Sequence, residues 1–176
     1  MSSAGILGID IGGVITNRVS EDRPFGTSKA DEYTHVSPVE GALVTIARLV
    51  SQRFETAVWL VSRCDQDAEQ PILEWLERNG FFRVTGVSRN RVRFCRERRT
   101  KAAICRELDI THFIDDRLEV LSHLVDIVPN LYLLRSRAGD PARFHHILSR
   151  VHVVTRWSDM IELLIPPAAE GTYTPR

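Results

Sequence analysis

Short apolar runs alternate along this chain with segments in which apolar residues recur at helical spacing. The runs have the length and composition of buried strands. They are the segments 5–10 (GILGID), 56–62 (TAVWLVS), 92–95 (VRFC), 111–116 (THFIDD), 130–135 (NLYLLR) and 151–155 (VHVVT). The helical spacing predicts helices at 37–54, 68–80, 100–109, 118–128 and 158–165. Strands that alternate with helices in this way predict βαβ units and an α/β fold.

This alternation predicts a Rossmann-like, three-layer α/β/α sandwich with a central, mostly parallel sheet, because right-handed crossovers place helices on both faces. The first helix has start signals: Ser37 as a cap, Pro38 in the first turn and Glu40 completing a capping box. Residues 17–36 are polar and interrupted by glycine and proline, which predicts a loop. Residues 166–176 hold too few apolar side chains to pack, which predicts a mobile tail. We therefore expect a single domain over residues 1–165.

Length, charge and cysteine content limit the kinds of protein that this chain can be. A chain of 176 residues is long enough for one domain with a substantial core. Its 23 basic and 23 acidic residues give a formal net charge of +0, which disfavours a dedicated nucleic-acid or membrane-surface protein. Its three cysteines show no CxxC spacing and favour a reducing compartment over a disulfide scaffold. With no signal-peptide pattern and no membrane-spanning run, we expect a cytoplasmic protein.

Three of the predicted strands end in polar residues that can carry chemistry. Asp10 ends the first strand, Ser62 the second, and the pair Asp115 and Asp116 a later one. In an open parallel sheet, ligands bind outside the carboxyl ends of the strands, where the strand order reverses. We therefore expect these side chains to share one edge of the sheet.

The segment GIDIGG at 8–13 resembles the first phosphate-binding segment of the actin and sugar-kinase superfamily. In that reading, Asp10 would lie beside the phosphates of bound ATP. Such proteins have two related domains, a first strand that continues into antiparallel hairpins, and a second glycine-rich segment. This chain is barely long enough for one such domain, has a predicted loop and helix after its first strand, and shows no second glycine-rich segment. The sugar-kinase-like reading is therefore the less favoured alternative.

A second resemblance involves four segments that occur in order along residues 5–135. They are GIDIGGVIT at 8–16, VWLVS at 58–62, Lys101 at the start of a predicted helix, and HFIDDR at 112–117. Together they resemble the four motifs of the haloacid dehalogenase (HAD) superfamily of phosphohydrolases. Each motif also falls where that superfamily has it, at a strand end or a helix start.

The HAD resemblance implies a role for each matching residue. Asp10 would attack phosphorus and form an aspartyl-phosphate, which water then opens. Ser62 would hydrogen-bond a phosphoryl oxygen, and Lys101 would offset negative charge. The resemblance also implies Mg²⁺, a hard cation that neutralises both the nucleophile and the phosphate. Its expected ligands are Asp10, the backbone carbonyl of Gly12, Asp115 and Asp116.

Gly12 departs from the HAD pattern. Most HAD phosphatases carry an aspartate here, which protonates the leaving alkoxide and then activates the hydrolytic water. Proton transfer of this kind contributes typically about 10²–10⁴-fold to the rate. Gly12 retains a carbonyl for the metal but has no acid. Either another residue or the substrate handles the proton, or the protein is a weak or inactive phosphatase that binds phosphorylated ligands or a protein partner.

The segment 88–101 (SRNRVRFCRERRTK) carries six arginines. It predicts either a solvated basic hairpin or a rim that gathers an anionic substrate. No segment is long enough for a full cap domain, which predicts an open site for a phosphorylated substrate such as a nucleotide or a sugar phosphate. A nucleic-acid end is a further possible substrate, without other support. The expected substrate-binding residues are Gly12, Gly13, Ser62, Arg63, Arg98 and Arg99.

Overall fold

The computed structural model describes residues 5–18, 35–135 and 142–165. Residues 19–34, which form most of the predicted loop, and the predicted mobile tail at 166–176 lie outside the described residues. Across the described ranges, no helix has both the length and the apolar character needed to cross a membrane.

Six parallel strands form the sheet of the described residues, in the order β3-β2-β1-β4-β5-β6. They are β1 (Leu7–Ile9), β2 (Val58–Arg63), β3 (Val92–Cys95), β4 (His112–Asp115), β5 (Asn130–Leu134) and β6 (Val151–Val154). All neighbouring strands pair in parallel, including β1 and β2, where the sugar-kinase-like alternative predicts an antiparallel hairpin. The six predicted strands are confirmed. The strand order reverses between β1 and β4, which is where a ligand site is expected.

Helices cover both faces of the sheet. Within the described ranges they are α1 (Ala42–Leu49), α2 (Glu69–Arg78), α3 (Phe81–Thr85), α4 (Lys101–Glu107), α5 (Leu118–Leu124) and α6 (Asp159–Leu164). The buried apolar residues of α1, α2 and α6 belong to one apolar cluster, and those of α4 and α5 to another. Consecutive strand residues alternate between the clusters, as Phe113 and Ile114 of β4 do. This arrangement confirms the predicted three-layer α/β/α sandwich.

The first helix begins later than its start signals predict. Helix α1 starts at Ala42, after Gly41 with φ 77°, and the predicted capping box at Ser37 is wrong. The segment around Ser37 is extended instead: the backbone N–H of Asn17 donates to the Ser37 carbonyl at 2.9 Å, and that of Val39 donates to the Ile15 carbonyl at 2.7 Å. These hydrogen bonds tie the segment after β1 to the entrance of α1 and replace the helical turn that the local sequence favours.

Close contact between β1 and β4 explains a glycine in the middle of β1. A Cβ atom on Gly8 would lie 2.5 Å from the ring of Phe113 on β4. Glycine therefore lets the Phe113 ring pack over the strand, and the two strands that end in Asp10 and Asp115 are held side by side.

The arginine-rich segment is not a hairpin. Its centre is β3, which pairs in parallel with β2, with short 3₁₀ turns at Arg89–Arg91 and Arg98–Thr100 on either side. The guanidinium groups of Arg91 and Arg93 each lie 4.6 Å from the centre of the Trp59 ring. Two of the six arginines of this segment therefore pack over an aromatic side chain of the neighbouring strand.

Candidate active site

Three carboxylates meet at the carboxyl edge of the sheet, at the switch between β1 and β4. Asp10 directly follows β1, Asp115 ends β4, and Asp116 is the next residue. The Asp10 N–H donates to the carbonyl of Ile114 at 3.0 Å, which aligns the two strand ends. One oxygen from each carboxylate lies within 4.8 Å of the others, and all three residues are buried. The expectation that these residues share one edge is confirmed.

Lys101 links two of these carboxylates. Its Nζ donates hydrogen bonds to Asp10 Oδ1 and to Asp115 Oδ2, both at 2.8 Å. Lys101 is the first residue of α4, so the start of that helix brings the ammonium group to the strand ends. Burial alone would lower the pKa of Lys101, but the charges of Asp10 and Asp115 and the hydrogen bonds to them raise it above its ordinary value. Lys101 is therefore a fixed positive charge at neutral pH.

Burial and repulsion between negative charges shift the pKa values of Asp115 and Asp116. The pKa of Asp115 is raised, mainly by burial and also by the nearby charges of Asp10 and Asp116, although Lys101 opposes the shift. The pKa of Asp116 is raised for the same two reasons, burial and the charge of Asp10, and Arg18 opposes that shift. The cluster is therefore electrostatically strained, and added positive charge would relieve it.

Arg18 and Gly13 shape the surroundings of Asp116. The Nε of Arg18 donates to Asp116 Oδ2 at 3.1 Å, and its Nη2 makes a closer contact with the same oxygen. Gly13 has φ 82°, and a Cβ there would lie 2.2 Å from Asp116 Oδ2. Glycine is thus required at this position both by the backbone conformation and by the approach of the carboxylate.

The other oxygen of Asp116 has no hydrogen-bond partner among the described residues. Asp116 Oδ1 is buried and accepts no hydrogen bond from any residue that the structure describes. The Nε of Arg117 lies 3.9 Å from it. An unsatisfied buried carboxylate oxygen is costly and calls for a ligand. Together with the oxygens of Asp10 and Asp115, it forms a hard, anionic donor set that fits a divalent cation.

A cleft opens above the carboxylates. Its enclosed space is about 30 Å³, and the cleft is open to solvent. Its described lining residues are Asp10, Gly12, Ser62, Arg63, Arg98, Lys101, Arg117 and Val120. Four of these side chains are cationic, and Asp10 is the one acidic side chain among them. The cleft is therefore suited to an anion that approaches Asp10.

The cleft brings together most of the residues that the sequence singles out. Gly13 lies behind it, against Asp116, and Arg99 is not among the lining residues. The guanidinium group of Arg99 instead pairs with Glu97 and is 74% exposed. Of the arginines at 88–101, Arg98 is the one among the described lining residues.

Two arginines at the site are absent from the sequence predictions. Arg117 follows the carboxylate pair in FIDDR, so its position next to a strand end was a usable signal. Arg18 lies in a polar loop-like stretch and reaches Asp116 across 98 residues of sequence, so no local pattern indicates its role.

Comparisons with known proteins give limited information. No protein-family model matches this chain. No curated protein matches it either. Among solved structures, a candidate haloacid dehalogenase-like hydrolase from Burkholderia xenovorans is similar, with 16% sequence identity and a TM-score of 0.47. The match covers 74% of this chain and 59% of that protein, so this chain corresponds to about 59% of its length. We therefore derive the function from the cleft itself.

Proposed function

We propose that this protein is a Mg²⁺-dependent phosphohydrolase that cleaves a phosphate monoester through a phosphoryl group on Asp10. The main support for this proposal is the position of Lys101, which bridges Asp10 and Asp115 at the base of a cationic cleft. The arrangement agrees with the roles that the HAD resemblance implies for these residues.

Asp10 has the position expected of the nucleophile. Its carboxylate lines the cleft and is 7% exposed, so it is reachable but shielded from bulk water. Lys101 holds Oδ1 by a hydrogen bond and fixes the orientation of the carboxylate. An in-line attack on phosphorus would form the Asp10–phosphoryl bond and release the leaving oxygen with its electron pair. Water would then attack phosphorus, the bond between the Asp10 oxygen and phosphorus would break, and inorganic phosphate and a proton would be released with the carboxylate regenerated.

The other lining residues would bind the phosphoryl group. Ser62 lies one residue before the end of β2 and lines the cleft, where its hydroxyl can donate a hydrogen bond to a phosphoryl oxygen. Lys101 supplies a charge that stays in place through the reaction, since it is buried and does not titrate near neutral pH. Asp10, Asp115, Asp116 and the Gly12 carbonyl would hold Mg²⁺, which offsets the repulsion between a carboxylate nucleophile and a phosphate dianion.

Beryllofluoride tests this proposal because it mimics an aspartyl-phosphate. We expect it to raise the melting temperature of the protein only in the presence of Mg²⁺, and not at all in Asp10→Asn. Asp126→Asn is the matched control, since Asp126 is an exposed aspartate that pairs with Arg150 and is not among the described residues that line the cleft. Wild type should also hydrolyse p-nitrophenyl phosphate, and Asp10→Asn should lose at least about 1,000-fold of that rate. Equal rates in wild type and Asp10→Asn would refute the proposal.

A second candidate function is binding of phosphorylated ligands without efficient turnover. One observation favours it: Gly12 supplies no acid to the cleft. It predicts Mg²⁺-dependent binding of phosphorylated ligands and a wild-type hydrolysis rate no higher than that of Asp10→Asn.

A further inference from the structure

We propose that the substrate carries a second anionic group on its leaving group, and that Arg63, Arg98 and Arg117 bind that group. This inference rests on the proposed function, which assigns the phosphoryl group to Asp10, Ser62 and Lys101. It adds a substrate class: phosphate monoesters whose leaving group bears a carboxylate or another phosphate.

The first argument is the number of guanidinium groups at the cleft. Arg63, Arg98 and Arg117 all line it, in addition to Lys101. One phosphoryl dianion is already matched by Lys101, by the hydroxyl of Ser62 and by the cation that the carboxylate cluster fits. Three further guanidinium groups exceed what this single group requires. Arginine presents a planar fork of N–H donors, which suits a carboxylate or a phosphate.

The second argument is that two of these arginines pair with carboxylates outside the cleft. Arg63 donates to Asp65 at 3.1 Å and to the Arg96 carbonyl at 3.2 Å, and Arg98 donates to Glu119 at 3.0 Å. Neither carboxylate lines the cleft, and their side chains are 55% and 30% exposed. Ion pairs of this kind contribute little, so exchanging a solvent-side carboxylate for a substrate anion has a low cost.

The third argument concerns the depth of the guanidinium groups. The side chains of the three arginines are 26%, 30% and 22% exposed, so they lie at the mouth of the cleft rather than at its base. Arg63 ends β2, Arg98 belongs to the turn before α4, and Arg117 precedes α5. They therefore approach from three elements toward the side on which a leaving group would project from a phosphoryl group bound at Asp10.

Two substrates with the same carbon skeleton test the inference. Glycerol 3-phosphate has a hydroxymethyl group where 3-phosphoglycerate has a carboxylate. We expect kcat/KM with Mg²⁺ at constant ionic strength to be about 10–100-fold higher for 3-phosphoglycerate, as one charge-assisted hydrogen-bonded pair contributes. Affinities of both compounds in Asp10→Asn, measured by calorimetry, should show the same preference without turnover.

Arginine variants assign the preference to the proposed subsite. In Arg63→Gln, Arg98→Gln and Arg117→Gln, the ratio between the two substrates should fall towards one. The ratio is the measure, because a change in how the cleft handles the phosphoryl group itself alters kcat/KM for both substrates alike. Arg150→Gln is the matched control, because Arg150 pairs with Asp126 at 3.0 Å, as Arg98 does with Glu119, but precedes β6 at the opposite edge of the sheet. Arg98→Lys should retain part of the preference, since it keeps the charge and loses the fork.

The possible outcomes separate this inference from the proposed function. Asp10-dependent hydrolysis of p-nitrophenyl phosphate, with equal kcat/KM and equal affinity for the two glycerol compounds, overturns the inference and leaves the proposed function in place. Absence of hydrolysis, together with an arginine-dependent affinity preference in Asp10→Asn, refutes the proposed function and supports the anion subsite. A preference that also disappears in Arg150→Gln overturns the assignment to these three arginines.

Discussion

Gly12 lines the same cleft as Asp10, and its lack of a side chain leads to a prediction for a single residue. Its φ is not in the left-handed region, so the backbone accepts a side chain. We expect Gly12→Asp to raise kcat/KM for alkyl phosphates by about 10–100-fold, within the range of general acid catalysis. Steady-state kinetics on glycerol 3-phosphate measures this.

The matched control for that substitution is Gly12→Asn, which has the same size but no acid. It should show no gain. Substrates whose leaving group is already a stable anion, such as p-nitrophenyl phosphate, should gain much less from Gly12→Asp, because their leaving oxygen needs no proton. An equal gain for both classes of substrate would contradict the missing-acid explanation.

His112, at the start of β4, is a second residue whose environment has a measurable consequence. Its Nε2 lies 3.1 Å from Nη2 of Arg53, which can only donate, so Nε2 accepts and the proton is on Nδ1. That proton is available to Thr111 Oγ1, at 2.8 Å. Burial and the positive charge of Arg53 lower the pKa of His112 from 6.5 to about 4. The neutral ring is therefore the form that the fold accommodates.

This lowered pKa makes stability depend on pH. Between about pH 4 and 6.5 the unfolded chain binds the proton that the native His112 rejects, so stability falls as the pH decreases through this window. We expect a loss of about 1–2 kcal/mol from this residue, discounted for solvent screening. Urea denaturation at several pH values should show a shallower dependence in His112→Gln. His123→Gln, an exposed histidine on α5, should keep the wild-type slope.

At the level of secondary-structure elements, the pairing of β1 with β4 places Asp10 beside Asp115. A Cβ on Gly8 would overlap the Phe113 ring, at 2.5 Å. We expect Gly8→Ala to lower the free energy of unfolding by about 1–3 kcal/mol, as overpacking does. Phe113→Leu should recover part of this in the double variant, and a double-mutant cycle in urea measures the coupling. Strictly additive effects would show that the two positions are not in contact.

The elements differ in how well the sequence predicts them. All six strands, and the polar residues at their ends, follow from local patterns: an apolar run sets the strand, and the next residue lies at the carboxyl edge of the sheet. The start of α1 does not follow from a local pattern, because the segment around Ser37 pairs with residues near Asn17, about 20 positions away in sequence. The role of Arg18 also depends on a long-range contact, since it reaches Asp116 across 98 residues of sequence. Local patterns therefore predict the carboxylates of the candidate site better than the cations around them.

At the level of the whole molecule, the carboxylate cluster lies where the two halves of the sheet meet. Strands β1, β2 and β3 lie on one side of the switch point, and β4, β5 and β6 on the other. Folding brings Asp10 from one half against Asp115 and Asp116 from the other, and Lys101 and Arg18 offset only part of the resulting repulsion. A divalent cation that binds this cluster binds the folded state alone, because the unfolded chain does not assemble it.

We therefore expect Mg²⁺ to stabilise the protein against unfolding, by about 2.7 kcal/mol when its concentration is 100 times its dissociation constant. Chelation should reverse the effect. Asp116→Asn should weaken it, because Asp116 Oδ1 is buried without a partner among the described residues. The exposed Asp126→Asn variant should respond as wild type does. Chemical denaturation across a Mg²⁺ titration measures the change. A free energy of unfolding that does not change with Mg²⁺ in the wild type would exclude the metal from this cluster, since binding to the folded state alone must shift the equilibrium.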